Sequence, residues 1–421
     1  MRLERRRLAT ARELVREIRA MAPSAPSVSD AVAEIIAAVA AEGDGAVARY
    51  TALFDLDPPP PLRVEDEELS DAVQALEGDV RAGLEIAIAN VAEVAWSGTV
   101  LDTDVSLVQG HQIRIREIPV SRAAIYVPGG RAPYPSTVVM GAVTARAAGV
   151  SDIVIVTPPP VAPVTLAACA LVAASEVYRM GGAQAIAALA LGTQTIEPVD
   201  VIVGPGSLHV QEAKHQLSDR VGIDGFAGPS DLVVLFDAPD AGSIRLVAHD
   251  LLAQAEHGEA SLVVAVCAED ALLDALEADL RALWGGQAAP IVLVAADSLD
   301  EGFEFAEAFA PEHLELIGPG AESFAPFVAR AGALFVGWPS ATAFGDYVAG
   351  SNHIIPTGGS ARFASALDTR HFRRRMAEVR VEHTALEALI RAGAPIARAE
   401  GFAEHARSMT ARVPDIVENP T

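Results

Sequence analysis

Residues 123–157 read AAIYVPGGRAPYPSTVVMGAVTARAAGVSDIVIVT. Two short apolar runs rich in β-branched residues, AAIYV at 123–127 and DIVIVT at 152–157, flank the helical-looking text STVVMGAVTARAAG. A strand that is apolar at consecutive positions has both faces covered, and a helical connection of this length returns the chain to a neighbour running the same way. The alternation continues through VDVIVG at 199–204 and then DLVVLFD, SLVVAVC, PIVLVA and ALFVG. The fold class is therefore α/β, with parallel strands buried between helices. Prolines cluster in DPPPPL and TPPPVAP and mark loops, while the last fifty or so residues return to charged helical text with little strand signal. The opening MRLERRRLATARELVREIRAM is basic but broken by glutamates, and reads as an amphipathic helix rather than a secretory signal.

Composition narrows the partners. The chain has 421 residues, 51% of them hydrophobic, and its 56 Asp and Glu against 31 Lys and Arg set a formal charge of -25. That length suggests about two to three domains. The acidic balance argues against a nucleic acid or an anionic membrane as the main partner and leaves small molecules and protein surfaces. No uninterrupted apolar run approaches the roughly 18 residues of a membrane span, so a cytoplasmic protein is expected. Cys169 and Cys267 both lie in apolar text, as small buried residues of a reducing compartment would.

Glycine-rich turns, VPGGRAPYPST, MGGAQAI and VGPGSLHV, follow three of the strands. Such turns free backbone N–H groups for an anion, though they also serve tight packing. The dinucleotide fingerprint G-x-G-x-x-G is absent from its usual strand-turn-helix setting. Four polar constellations interrupt the apolar text. In LLAQAEH, Gln254 and His257 stand three apart and would share a helix face; PEHLEL sets Glu312 beside His313 ahead of a strand. FGDYVAGSNHIIPTGG carries Asp346 and His353 in a glycine-broken loop, and AEGFAEHARS carries Glu400 and His405 in the helical tail. Each alone reads equally well as a solvated helix end or turn. Together, Gln254, His257, Asp346 and His405 would offer two imidazole nitrogens and two oxygens to a divalent ion such as zinc, but the spacing is too dispersed to count as a metal motif.

The blocks IYVPGGRAPYPSTVVM, GGAQAIAALALGT, GPG followed by EAK, IDGFAGPSD, LLAQAEHG, APEHLEL, GDYVAGSNHIIPTGGSARF and EGFAEHA together resemble the histidinol dehydrogenase family, in order and approximate spacing. The resemblance implies oxidation of L-histidinol to L-histidine in two NAD-dependent steps through a bound aldehyde, by a zinc-dependent homodimer. It implies two incomplete Rossmann-like parallel-sheet domains with small N- and C-terminal helical segments: residues 1–23 as the N-terminal segment, 24–122 with 232–367 as a first α/β domain, 123–231 as a second that binds NAD, and 368–421 as a C-terminal segment completing the partner's site.

Carried over by position, the family's zinc ligands fall on Gln254, His257, Asp346 and His405. Its proton-transfer residues fall on His313, which takes the alcohol proton, and Glu312, which activates the water that hydrates the aldehyde. Substrate contacts fall on Ser230, His353 and Glu400, and NAD contacts on Tyr126 and Gln184. The chain departs from the family pattern at Ser207, where GPGS replaces the usual GPGN, at Val201 for a common lysine, at Asp231 in AGPSD for AGPSE, and in WPSATAF. Two other classes stay open: a related zinc- and NAD-dependent dehydrogenase for another polar primary alcohol such as a sulfonated diol, and a non-enzymatic metal-binding descendant.

Overall fold

A computed structural model describes residues 3–21, 28–129, 132–225, 229–237, 241–285 and 289–413. Gly130, Arg131, positions 226–228 of the IDGFAGPSD block and the expected boundary near residue 23 lie outside the described residues. The chain divides into two compact units, one built from Met1–Gly98 with Val120–Phe372 and one from Thr99–Pro119 with Arg373–Thr421.

The larger unit contains two parallel sheets. The first has five strands in the order Glu176–Arg179, Asp152–Thr157, Arg122–Tyr126, Val201–Val203, Gly222–Ile223. Successive side chains on a strand point to opposite faces, and the core follows that rule. Ala123, Ile125, Ile153 and Ile155 pack with helices Gly78–Ser97 and Pro135–Ala147 on one face. Ala124, Tyr126, Val154 and Val156 pack with helices Ser29–Glu42 and Gly182–Leu191 on the other. The helices of 29–97 therefore build their core with the 122–223 sheet, a different grouping from the expected one of 24–122 with 232–367.

The second sheet has six parallel strands in the order Leu3–Arg7, Ile291–Ala295, Leu262–Cys267, Asp231–Phe236, His313–Ile317, Ala333–Val336. Helices Ala241–Ala255 and Asp270–Leu283 cover the face of Leu232, Val234 and Phe236, and helices Ala11–Arg19 and Leu299–Phe309 cover that of Val233 and Leu235. The N-terminal text reads as helical throughout, but Leu3–Arg7 forms an edge strand beside Ile291–Ala295, and the helix begins only at Ala11. An edge strand can place charged side chains in water while its backbone completes the sheet, and Arg5 pairs with Asp270 and Asp274 on a neighbouring helix.

The smaller unit is an antiparallel sheet of Arg373–Arg380, Gln112–Pro119 and Thr103–Ser106, followed in the chain by helices His383–Ala399 and Ala403–Thr410. Here the charged run RRRMAEVR, read from the sequence as helical tail, is a strand. Its backbone pairs along its whole length with Gln112–Pro119, and an ion pair from Arg375 to the buried Glu117 strengthens that register, so tertiary pairing overrides local propensity. Among the described residues no helix is long and apolar enough to cross a membrane.

Candidate active site

In the six-stranded sheet, strands 231–236 and 313–317 are parallel neighbours, with His313 in register with Leu232. Ser230 precedes one strand and Glu312 the other, so parallel pairing brings these distant positions side by side at the starting end of the sheet. The chain leaves the far end of strand 231–236 and returns through helix 241–255, which delivers Gln254 to the same end. Gln254 Nε2 donates to Ser230 Oγ at 2.6 Å, and the Ser230 hydroxyl donates in turn to Glu312 Oε2. That carboxylate oxygen also accepts the Asp231 N–H at 2.9 Å. The helix closes at Ala255, so His257 sits just beyond its last turn rather than on it, ahead of Gly258 at φ 145°. Glycine's freedom at positive φ lets the chain leave the helix there.

A cavity of about 590 Å³ has Ser230, His257, Glu312, His313, Asp346 and His353 in its wall. His313 Nε2 lies 3.9 Å from Asp346 Oδ1, and its Nδ1 lies 3.4 Å from the Asp231 carbonyl oxygen. Asp346 sits on the short helix Thr342–Tyr347 rather than in a loop, and its carbonyl oxygen is 2.9 Å from His353 Nδ1. His353 Nε2 meets Thr137 Oγ1 at 3.1 Å, so both ring nitrogens are engaged. Burial and the nearby Asp231 charge push Glu312 well above the usual carboxylate range. Burial lowers His313, keeping its imidazole neutral and ready to accept a proton.

Tyr126, Gln184 and Ser207 meet in a second cavity, of about 330 Å³, beside Asp55, Pro128 and Gly182. It opens at the finishing ends of strands 122–126 and 201–203. The chain steps outward from the first of these through 152–157 to 176–179 and then crosses back to the second. Such a reversal of strand order leaves a crevice between diverging connections. The Gly182 N–H donates to Tyr126 Oη at 3.0 Å. Gln184 is buried at the start of its helix, and both its side-chain oxygen and nitrogen lack a hydrogen-bond partner. A buried amide with no partner is costly, and one on a cavity wall is suited to a polar ligand. Burial also raises Asp55 to about 6. Pro128 belongs to both cavity walls, so the two spaces adjoin through one residue.

Glu400 and His405 belong to the smaller unit, where both are exposed: Glu400 caps helix 383–399, and His405 lies on helix 403–410 with its ring 5.2 Å from that of Phe402. Among the described residues, no three His, Cys, Asp or Glu side chains cluster as a metal site. Within the larger unit the donors suited to a hard or borderline cation are the His257 imidazole and the Asp346 carboxylate on the cavity wall, with the Gln254 amide behind Ser230. This mixed set of nitrogen and oxygen fits zinc, although it stops short of four ligands.

Asp231 appears in the sequence only as a departure from a motif, yet it organises the site. Fully buried, it accepts the Glu312 N–H at 2.6 Å through Oδ1, and through Oδ2 pairs with Arg19 at 3.2 Å and accepts the Gly358 N–H at 3.3 Å. Thr137 and Tyr347 line the larger cavity and Asp55 the smaller, although nothing in their local text distinguishes them.

The histidinol dehydrogenase family model matches residues 19–413. Histidinol dehydrogenase of Aromatoleum aromaticum is 39% identical over 404 residues, covering 92% of each chain. The enzyme of that name from Thermobifida fusca is 40% identical over 381 residues, covering 86% of each. The crystal structure of histidinol dehydrogenase from Elizabethkingia anophelis superposes with a TM-score of 0.89 at 27% identity, over 98% of both chains. These likenesses, over nearly the whole chain, show that the chain belongs to the histidinol dehydrogenase family of oxidoreductases.

Proposed function

We propose that the protein oxidises L-histidinol to L-histidine in two successive hydride transfers to NAD through a bound aldehyde, as a zinc-dependent homodimer. The observation that carries this reading is the meeting of Glu312, His313, His257, Asp346, Ser230 and His353 on one cavity wall that adjoins the cleft of Tyr126 and Gln184. When bound, zinc would supply a positive charge to hold the imidazole and amine of the substrate, and NAD would supply the hydride acceptor.

The remaining work falls to the chain's own side chains. His313, neutral because it is buried, accepts the alcohol proton as hydride leaves. Glu312 removes a proton from the water that hydrates the aldehyde; its raised affinity for protons makes it a stronger base than an exposed carboxylate. Ser230 holds Glu312 in place and ties it to Gln254. Gln254, His257 and Asp346 are assigned to the metal, and Ser230 and His353 also to the substrate. Tyr126, Gln184 and Ser207 form the wall for NAD, where the unpartnered Gln184 amide would find its polar partners.

His405 is assigned as the fourth metal ligand and Glu400 as a substrate contact, both delivered by a partner subunit. Their exposure, with that of Ile396 and Phe402 in the same unit, supports a surface that another copy covers. The deciding assay measures NADH formed per L-histidinol consumed by purified, zinc-loaded protein. About two NADH per substrate is the expected result, whereas a ratio near one, or no turnover alongside oxidation of another polar alcohol, would overturn the substrate assignment.

A further inference from the structure

The turn Gly204–Ser207 is a shared wall. Pro205 and Gly206 face the larger cavity, and Ser207 faces the cleft assigned to NAD. Its first residue is held unusually closely. At φ +118°, Gly204 presses against strand 122–126 so tightly that an added Cβ would lie 2.1 Å from the Tyr126 carbonyl oxygen. Both polar groups of its backbone are gripped by side chains: the N–H donates to Asp224 Oδ2 at 2.7 Å, and the carbonyl accepts from Lys214 Nζ at 2.6 Å. Lys214 closes the ring by donating to Asp224 Oδ1 at 2.8 Å.

Lys214 is fully buried on the helix that begins after Ser207, and Asp224 lies on the wall of the larger cavity. An ammonium and a carboxylate cost much to remove from water, and hydrophobic residues of the same size often serve stability as well or better. Stability therefore gives little reason to bury this pair. A closed ring of charge-assisted hydrogen bonds does, however, hold a backbone segment within a narrow range of positions.

We infer that the buried pair of Lys214 and Asp224 is a positioning device for the reaction: it fixes the Gly204–Ser207 turn against Tyr126 so that the nucleotide cleft and the substrate cavity keep their relative placement. Neither side chain needs to touch the nicotinamide. Without the pair, Gly204 keeps its place against strand 122–126 only through packing, and Ser207, with the start of its helix, loses its fixed distance from Tyr126. The inference rests on the assignment of that cleft to NAD.

The test uses zinc-loaded full-length protein and two variants, Lys214→Met and the isosteric Asp224→Asn, which offers a single acceptor to two donors. Each is assayed for NADH dissociation constant by fluorescence titration, zinc per subunit, thermal melting, and KM and kcat for both substrates. In both, NADH affinity should fall about tenfold or more, KM for NAD should rise, and zinc content should match the parent. The double variant should be no worse than Lys214→Met, because the two residues act as a unit. A folded variant that binds NADH as tightly as the parent overturns the inference, as does loss of fold in both, which would make the pair a pillar of the fold rather than of the turn. If the parent itself binds no NADH, the cofactor assignment fails first and the inference with it.

Discussion

His313 Nε2 and Asp346 Oδ1 stand 3.9 Å apart on one cavity wall, so the side chain read as proton acceptor faces one read as metal ligand. The two roles are separable by substitution. His313→Asn should lower kcat by about 10²- to 10⁴-fold while leaving zinc per subunit and NADH affinity at parental levels. Steady-state rates set beside metal analysis and a binding titration provide the check; loss of zinc in this variant would show that His313 belongs to the metal instead.

The assignment of His405 to a partner's site can be tested by complementation. A His257→Ala protein and a His405→Ala protein should each be inactive. When the two are co-expressed, a mixed dimer has one site with both side chains intact and one with neither, so random pairing restores about a quarter of the parental activity. If both ligands come from the same chain, no mixture restores any, and activity of the isolated mixed dimer decides between the two.

Ser207, where the resemblance to the family implies an asparagine, lines the cleft assigned to NAD. A hydroxyl has shorter reach than an amide and one donor fewer. Ser207→Asn is therefore expected to tighten NADH binding several-fold, with kcat for histidinol little changed. An unaltered dissociation constant would place residue 207 outside the cofactor's reach.

Glu315 is fully buried on strand 313–317, where its carboxyl meets that of Asp250 in a side-chain hydrogen bond. Burial, reinforced by Asp250, holds Glu315 well above its ordinary value of 4.5, and burial raises Asp250 to about 6. As pH rises past that ordinary value the unfolded chain releases protons that the folded chain keeps, so stability is complete below it and declines up to the raised folded values. Glu315→Gln removes one titrating group and should flatten the fall of Tm between pH 5 and pH 8, gaining about 2 °C or more at the upper end. Parallel melting curves for parent and variant would contradict this account.

The alternation of 123–157 was enough to establish the α/β class, because a strand apolar on both faces can be satisfied only between two layers of helices. The PEHLEL text likewise points to a strand from Leu314, and the structure starts it one residue earlier, at His313, with Glu312 just ahead of it. Less was legible where backbone pairing outweighed composition. The charged runs at Leu3–Arg7 and Arg373–Arg380 look helical in isolation and are strands because Ile291–Ala295 and Gln112–Pro119 offer them hydrogen bonds. Asp231 carried no signal because its importance lies in three partners, Arg19, Glu312 and Gly358, that are remote in the chain.

By itself, then, the order of residues determined the layered class, the family and the residue types available for proton transfer and cation binding, since these follow from local pattern and side-chain chemistry. Only the tertiary structure decided that Ser230 and Glu312 would meet at the starting edge of one sheet, that Tyr126 and Gly204 would close the finishing edge of the other, and that Lys214 would be buried against Asp224. Those arrangements depend on parallel register and on which faces exclude water, properties that arise only when segments far apart in the chain pack together.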